Sequence, residues 1–422
     1  MAFCLPIFTE NPLIFDSITA FAEETSATEL TTPPPSTEQT EAKNNKTETN
    51  EILTEEYQPV FSFPTEMRAV TVVPGVDFAK EEGKTDEEIL AEIDELITNI
   101  QSKGMNSIIV KTSYDGKAFY STDINQSVKK NPVELAIKAA KDRGLFAYIT
   151  FDINFVLGQL VDAPLQERID YLALQSHIFT VKYAVDGVVL EGYYSSKSNT
   201  SFSDYMQNGS GIGFDNWLLD NGAYVFSLVS DAIRKTNNTI PVGIMLKDVW
   251  ANYTTNENGS NTNDNFQALS DGYADTLAYI KNGYADFVML KADGSISDKA
   301  LPFEEIIKWW AKNTVDAKIP LYVMHSNEKI CTEAAGWGSP DQLVQQIISA
   351  RKVKGYNGSA FESYSALQAD VGESTKVISE YYGDNLNMET INNELNIISP
   401  KRTSFTTEEP AVDFMGSFDP NF

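Results

Sequence analysis

Cysteine and histidine are both scarce in this chain. Its 422 residues include two cysteines, Cys4 and Cys331, and two histidines, His177 and His325. Two cysteines, one of them close to the amino terminus, supply neither a disulfide framework nor a cysteine metal cluster. Two histidines far apart in the sequence do not make a zinc set either. We therefore predict a fold that is held together by packing, with no metal and no cofactor.

Basic residues are also few, since the chain has 32 lysines and arginines against 60 aspartates and glutamates. The formal net charge of -28 predicts a surface that repels nucleic acids and anionic lipids. No run of about 18 apolar residues occurs beyond the amino terminus, so we expect no membrane span. The sequence also lacks a glycine-rich phosphate loop and a Gly-x-Ser-x-Gly elbow. These absences exclude a P-loop nucleotide enzyme and a serine hydrolase of the α/β type.

The first 60 residues have the composition of an export signal followed by a linker. Residues 1–22 end in Ala20-Phe21-Ala22, a pattern that signal peptidase accepts. Glu10 and Asp16 interrupt the apolar stretch, so a chance match is the alternative. Residues 23–60 are rich in Glu, Thr, Pro, Ser and Asn, which predicts a disordered acidic linker. We therefore expect a clipped signal peptide and a secreted or cell-surface protein.

Residues 61–386 alternate between short apolar runs and amphipathic helical patterns. Eight such strand–helix pairs in succession predict an α/β fold, the (β/α)8 TIM barrel. The predicted strands are residues 67–73, 107–111, 146–150, 185–190, 241–246, 286–290, 319–324 and 359–361. The helical patterns include a fifth helix at 263–282 and an eighth at 365–382. Beyond residue 386 the alternation stops, and we interpret 387–422 as a linker and the truncated start of a β-rich module.

Charged residues follow the predicted strands, and the carboxyl ends of barrel strands meet at one face. The buried run at 185–190 leads directly into Glu191. Glycoside hydrolysis requires two carboxyl groups, one protonated and one ionised. We predict Glu191 as one of them, with Glu362 or Asp248 as the other. The alternatives are a strand cap for Glu191, and structural ion pairs with Lys291 or Lys247 for the other two acids.

Several polar and aromatic residues at the same predicted strand ends are candidates for substrate binding. Aromatic rings can stack on the faces of sugars, and polar groups can hold the hydroxyl groups. We interpret the histidine after strand seven as a hydrogen-bonding wall of the pocket, because no second histidine is near enough for a metal site. The predicted substrate-binding residues are Lys111, Tyr114, Asp152, Asn154, Tyr193, Trp250, Lys291 and His325.

A series of short motifs follows the order found in the glycosyl hydrolase-like family 10 proteins. They include Lys103-Gly104-Met105-Asn106, Lys141-Asp142-Arg143-Gly144, Val249-Trp250-Ala251-Asn252 and Gly283-Tyr284-Ala285-Asp286. The chain resembles this family over residues 67–382. The resemblance implies a secreted bacterial barrel that acts on polysaccharide or cell-wall glycan, and we expect a monomer. Because the ends of strands three, four and six depart from the family pattern, a barrel that binds glycan or cell wall without catalysis is the alternative.

Overall fold

The computed structural model describes residues 59–81, 83–120, 131–209, 211–385, 395–400 and 402. At its centre, eight parallel strands form a closed barrel, which confirms the predicted TIM barrel. The strands are β1 Met67–Val72, β2 Ser107–Val110, β3 Phe146–Asp152, β4 Gly187–Glu191, β5 Val242–Leu246, β6 Phe287–Ala292, β7 Leu321–His325 and β8 Tyr356–Phe361. Each strand pairs with its neighbours in sequence order, and β8 pairs with β1 to close the ring.

One helix after each strand contributes to the outer layer. These helices are α1 Asp86–Ser102, α2 Pro132–Asp142, α3 Leu165–Lys182, α4 Phe214–Thr236, α5 Thr276–Lys281, α6 Phe303–Ala317, α7 Gln342–Ala350 and α8 Ser374–Asn385. Short additional helices occupy Ile153–Gly158, Asn199–Asn208 and Tyr364–Ala369, with 3-10 turns at Asn327–Lys329 and Val371–Glu373. Among the helices in these ranges, none is both long and apolar enough to cross a lipid bilayer.

Most strand residues are apolar because both faces of each strand are covered, although β1 also buries Arg68 and β8 also buries Ser359. In β1, Met67 and Ala69 face the interior of the barrel, whereas Val70 and Val72 pack with the surrounding helices. β5 is likewise buried at every position. A strand covered on both faces shows no polar alternation. This continuous apolar pattern is why the eight strands are recognisable in the sequence.

The predicted fifth helix is wrong over most of its length, because only Thr276–Lys281 is helical. The preceding segment makes short turns of its own and also bonds to the end of the β5 connection. The backbone N–H of Ala268 donates to Val249 O at 2.9 Å. The side chain of Asn252 holds both the N–H and the carbonyl of Asp264, at 3.1 and 2.9 Å. These long-range bonds replace the bonds that a helix would make.

Two further helical assignments differ from the sequence prediction. The predicted eighth helix is divided into Tyr364–Ala369 and α8, because Asp370 and Gly372 adopt positive φ angles of 47° and 64°. These left-handed conformations end a right-handed helix. The helix Asn199–Asn208 lies where we predicted only a loop, and the Ser198 side chain caps its amino end.

The two ends of the described chain meet at the bottom of the barrel. The strand Phe61–Pro64 pairs in antiparallel fashion with Leu395–Ile398. The ring of Phe63 is fully buried, 5.7 Å from the ring of Phe287 inside the barrel. Within the described residues, the start of the predicted C-terminal module therefore packs on the barrel itself. The predicted signal peptide, nearly all of the linker, and residues 403–422 lie outside the described residues, and their assignments stay predictions.

Asp286 is the buried charge that ties this bottom layer together. Its carboxylate accepts from Val242 N at 2.8 Å and from Arg234 at 3.1 Å. It also accepts from two nitrogens of Arg402, at 2.9 and 2.7 Å. Its side chain is fully buried. Removing its charge therefore leaves two largely buried guanidinium groups without a counter-ion.

We predict that Asp286→Asn lowers the free energy of unfolding by about 3–5 kcal/mol, the cost of breaking a buried ion pair. Urea denaturation followed by tryptophan fluorescence measures this. The matched control is Asp316→Asn on the exposed side of α6, which should change the free energy of unfolding by about 0.5 kcal/mol or less. Equal effects of the two substitutions would contradict the structural role of Asp286.

Candidate functional site

A cavity of about 210 Å³ opens at the carboxyl ends of the barrel strands. Its wall combines charged side chains with the inner side chains of the upper barrel. Four residues predicted from the sequence lie together here, namely Lys111, Glu191, Lys291 and Glu362. The remaining lining residues are Thr71, Gly192, Tyr194, Met245, Leu246, Lys247 and Met324.

Glu191, the last residue of β4, is held by Lys111 from β2. The Lys111 Nζ atom donates to both carboxylate oxygens of Glu191, at 2.7 and 2.6 Å. The next residue, Gly192, has a φ of 66°, and a Cβ atom there would lie 1.9 Å from Asp152 Oδ1. Only glycine fits this left-handed turn without displacing Asp152. The turn therefore ends the strand directly after the carboxylate, as the sequence pattern predicts.

Asp152 and Asn154 brace the turn after Glu191 from the end of β3. Asp152 Oδ1 caps the helix Ile153–Gly158 by accepting from Phe155 N at 2.9 Å. Asn154 Nδ2 donates to Tyr194 O at 2.8 Å. Burial raises the pKa of Asp152, and the negative charge of Glu191 adds to that rise. Neither residue lines the cavity, so the predicted contact with substrate is not what the structure shows; they hold the loop that carries Glu191.

Glu362, directly after β8, forms an ion pair with Lys291 of β6. Burial lowers the pKa of Lys291, but the neighbouring carboxylate of Glu362 outweighs burial and leaves the pKa above its ordinary value. Glu362 Oε2 also lies 3.4 Å from Ser326 Oγ. Two independent ion pairs thus bring two carboxylates and two ammonium groups to one cavity.

A second layer of polar groups, which the sequence prediction missed, supports Glu362. Ser326 Oγ donates to Asp293 Oδ1 at 2.6 Å, and Lys329 Nζ lies 3.1 Å from the same oxygen. Burial raises the pKa of Asp293, but the hydrogen bond from Ser326 and the charge of Lys329 outweigh it and lower the pKa below its usual range. Asp293, Ser326 and Lys329 all lie within four positions of the end of a barrel strand. Their place in the sequence could therefore have identified them as candidate site residues.

Asp248 does not line the cavity, and its predicted catalytic role is wrong for that reason. Its side chain is buried in the protein, where Oδ2 accepts from Asp293 N at 2.9 Å. Burial, together with the charge of Asp293, raises the pKa of Asp248 to about 7. No lysine pairs with it in the part of the chain that the structure describes, so the predicted alternative of an ion pair is not found either.

Tyr193 and Trp250 are core residues rather than the predicted sugar-stacking surfaces. The Tyr193 hydroxyl donates to Met245 O at 2.7 Å, and its ring packs edge-on against Phe226. The Trp250 indole N–H donates to Asp275 Oδ1 at 2.9 Å. Both side chains are less than a tenth exposed. Their polar atoms are satisfied inside the protein, which leaves nothing for a substrate to contact.

His325 is fully buried behind β7, so the predicted role as a pocket wall is wrong. Its Nδ1 atom lies 2.8 Å from Gln346 Oε1, and its Nε2 atom lies 2.7 Å from Ser359 Oγ. Burial lowers the pKa of His325 to about 4. The imidazole is therefore neutral near neutral pH and joins the barrel to α7. Tyr114, by contrast, is exposed in a hairpin beyond β2 and does not line the cavity.

Tyr194 takes the place that we predicted for Tyr193. Its ring lines the cavity and packs edge-on against Phe266, with 5.6 Å between the ring centroids. Its hydroxyl accepts from Lys247 N at 3.1 Å, and Lys247 Nζ lies 4.2 Å from the centroid of the Phe266 ring. The cavity therefore has an aromatic wall beside its charged groups. Phe266 was missed because it lies in the segment that we predicted as helix.

Among the described residues, no group of three or more histidine, cysteine, aspartate or glutamate side chains is arranged to hold a metal ion. The chemistry that the lining residues themselves offer is that of two carboxylates and three lysines. Carboxylates flanking a bond can donate a proton to a leaving oxygen and activate or replace water.

Two curated bacterial proteins are similar to this chain, although no protein-family model matches it. The glycosyl hydrolase YngK of Bacillus subtilis is 23% identical over 350 residues, which cover 72% of this chain and 69% of YngK. The glycosyl hydrolase DigH of Escherichia coli K12 is 20% identical over 286 residues, which cover 55% of this chain and 64% of DigH. The chain thus spans about two thirds of each relative.

Among solved structures, the fold resembles the glycoside hydrolase domain of PgaB (BpsB) from Bordetella bronchiseptica. The TM-score is 0.50 at 11% sequence identity, and the match covers 74% of this chain and 98% of that domain. The barrel therefore has the same fold as that domain. The named relatives and this fold support the prediction that the chain is a glycosidase, while the assignment to family 10 stays a prediction.

The raised pKa of Asp248 makes the stability of the fold depend on pH. Because its pKa is higher in the folded chain than in the unfolded chain, the protonated carboxyl group stabilises the fold. This contribution is complete below about pH 4 and is lost as the pH rises through about 7. We predict that Asp248→Asn, which keeps the acceptor for Asp293 N, removes this dependence. Between about pH 5 and pH 8, the wild type should lose about 2–3 kcal/mol relative to the variant.

Urea denaturation of both proteins at these two pH values measures the difference. Asp316→Asn, a substitution at an exposed position of α6, serves as the control and should follow the wild type. Parallel pH profiles for the wild type and Asp248→Asn would show that Asp248 is ionised in the folded protein across this range.

Proposed function

We propose that the protein hydrolyses O-glycosidic bonds in a polysaccharide or cell-wall glycan. The observation that carries this proposal is that Glu191 and Glu362 line one cavity at the catalytic face of a glycoside hydrolase barrel. The names of the relatives YngK and DigH, both glycosyl hydrolases, support the reaction class. We also propose that the protein is one of the glycosyl hydrolase-like family 10 proteins and that it is secreted or attached to the cell surface.

Glu191 serves as the ionised carboxylate of the pair. Both of its oxygens accept from the Lys111 ammonium group, whereas Glu362 accepts from Lys291 through Oε1 alone. In this role, it attacks the anomeric carbon or takes a proton from the attacking water. The Lys111 side chain fixes the direction of the carboxylate, and the glycine turn that follows Glu191 fixes its position.

Glu362 serves as the proton donor to the leaving oxygen. The negative charges of three carboxylates, those of Glu362, Asp293 and Glu191, each raise the pKa of Lys291. Of these carboxylates, Glu362 forms the ion pair with Lys291 and lines the cavity. It follows β8, which lies across the barrel from the β4 strand that carries Glu191. The Oε2 atom of Glu362, which lies 3.4 Å from Ser326 Oγ and is not bonded to Lys291, is the oxygen assigned to carry the donated proton. Its proton passes to the glycosidic oxygen as the bond to the anomeric carbon breaks, and water supplies the replacement hydroxyl group.

A barrel that binds glycan without cleaving it is the second candidate function. The observation that favours it is that each glutamate in the cavity already has a lysine partner. Such pairs hold charge in place even where no reaction occurs. In that case, the lysines and Tyr194 would bind the sugar, and Glu191 would only fix Lys111.

We predict that Glu191→Gln and Glu362→Gln each reduce the release of reducing sugar by about 10²–10⁴-fold, the usual contribution of a catalytic acid or base. The full chain is incubated with a panel of bacterial cell-wall and plant glycans. Glu380→Gln, on the exposed side of α8, is the matched control and should retain the wild-type rate.

Three results of this experiment separate the candidates. Loss of activity in both cavity variants, with full activity in the control, supports the carboxylate pair. Full activity in Glu191→Gln would remove that residue from the mechanism. No release by the wild type from any glycan, combined with binding that survives Glu191→Gln, would favour the barrel that only binds.

A further inference from the structure

Exposed aromatic side chains have an uneven distribution on this barrel. In the described ranges, the phenylalanine, tyrosine and tryptophan side chains that are more than about a third exposed are Tyr114 at 49%, Phe202 at 50% and Tyr253 at 60%. All three lie in connections that leave the carboxyl ends of barrel strands, namely those after β2, β4 and β5. The outer helices and the connections at the bottom of the barrel present no comparable ring in these ranges.

Each of the three rings shares its connection with a residue that lines the cavity. Lys111 leads into the hairpin of Tyr114, and Tyr253 follows six residues after Lys247. Phe202 lies further along the segment that begins at Glu191. The rings therefore lie on one side of the rim, in the connections after β2, β4 and β5 that also supply lining residues of the cavity. The opposite side of the rim carries the charged groups around Glu362.

The three rings stand on braced segments rather than on open loops. Tyr114 lies in a tight hairpin in which it pairs with Lys117. Tyr253 N donates to Ser260 O at 2.7 Å, which closes its loop into a compact turn. Backbone segments held in this way lose little conformational freedom when a ligand binds.

Phe202 is held by the packing of its own helix. Its ring packs edge-on against the ring of Phe214, with 5.4 Å between the centroids. The ring of Tyr205, from the next turn, also packs on Phe214, with 5.1 Å between the centroids. Trp217 completes this cluster from α4. The cluster fixes the helix, yet half of the Phe202 side chain stays in solvent. An aromatic ring that is held rigid and exposed can bind a ligand with little loss of conformational freedom.

We propose that Tyr114, Phe202 and Tyr253 are subsites for an extended glycan chain, which makes the protein a polymer-binding enzyme. This inference rests on the proposed function, because it takes the cavity to be the point of cleavage. The flat apolar faces of successive sugars stack on aromatic rings, and a rim of separated rings contacts several sugars of one chain. Affinity should therefore rise with the length of the glycan.

Binding is measured with the full chain carrying Glu191→Gln, so that no probe is cleaved. The probes are a disaccharide and an octasaccharide prepared from bacterial cell-wall glycan strands, titrated by calorimetry. In this background, we expect the octasaccharide to bind at least tenfold more tightly than the disaccharide. Each of Tyr114→Ala, Phe202→Ala and Tyr253→Ala should weaken octasaccharide binding by about fivefold to tenfold, the effect of losing one aromatic contact.

Leu174→Ala is the matched control, because Leu174 is an exposed apolar residue on α3, away from the rim. It should keep the full gain in affinity with chain length. Circular dichroism spectra of all variants show whether they fold. Equal affinity for the two probes, an unchanged gain in the triple aromatic variant, or no binding of either probe would overturn the subsites.

The proposed function and the subsites can fail separately. If the wild type releases no reducing sugar but the gain with chain length depends on the three rings, the subsites stand and the hydrolase assignment fails. If hydrolysis depends on Glu191 and Glu362 but affinity does not change with chain length, the hydrolase stands and the subsites fail.

Discussion

Closure of the barrel between β8 and β1 is the constraint on which the rest of the structure depends. Gly358 of β8 pairs with Met67 of β1 and has a φ of 144°. A Cβ atom on Gly358 would lie 2.3 Å from the Met67 carbonyl oxygen. Glycine is therefore required where the two strands approach most closely. This contact completes the ring of strands. The closed ring places Glu362 and Glu191 on opposite sides of the same cavity.

Charge compensation allows the top of an apolar barrel to hold reactive groups. Lys111 and Lys291 each neutralise one glutamate, and Lys329 supports Asp293. Asp248, buried beside them, has no such partner in the described part of the chain, and its pKa rises instead. Burial of a carboxyl group thus has two results here. Where a lysine is close, the carboxylate forms an ion pair, and where no lysine is close, the pKa of the carboxyl group rises.

The sequence was sufficient to predict the barrel and four of the eleven residues that line the cavity. Lys111, Glu191, Lys291 and Glu362 could be grouped because residues at the ends of parallel strands meet at one face. The direction of a side chain at a strand end was not predictable in this way. Because successive side chains point to opposite sides, Met324 lines the cavity, whereas the next residue, His325, faces α7.

The remaining errors have the same kind of cause, which is long-range bonding that no local pattern records. After Gly192, the left-handed turn sends the ring of Tyr193 into the core and the ring of Tyr194 to the cavity. We predicted the segment before α5 as a helix, but the side chain of Asn252 holds it as a loop. That loop places Phe266 against Tyr194, the aromatic residue of the cavity wall, so this contact could not be predicted from a helical pattern.

The pairing of Phe61–Pro64 with Leu395–Ile398 has a practical consequence for handling the protein. Arg402 contacts Asn238 and Ile240, which precede β5, so both ends of the described chain leave the barrel on the side opposite the cavity. A tag or a fused partner joined directly at residue 59 or residue 402 would therefore begin on the side away from the open mouth. A chain shortened to residues 59–402 and immobilised at either of these positions would present the cavity to a bulky, insoluble material rather than to the support.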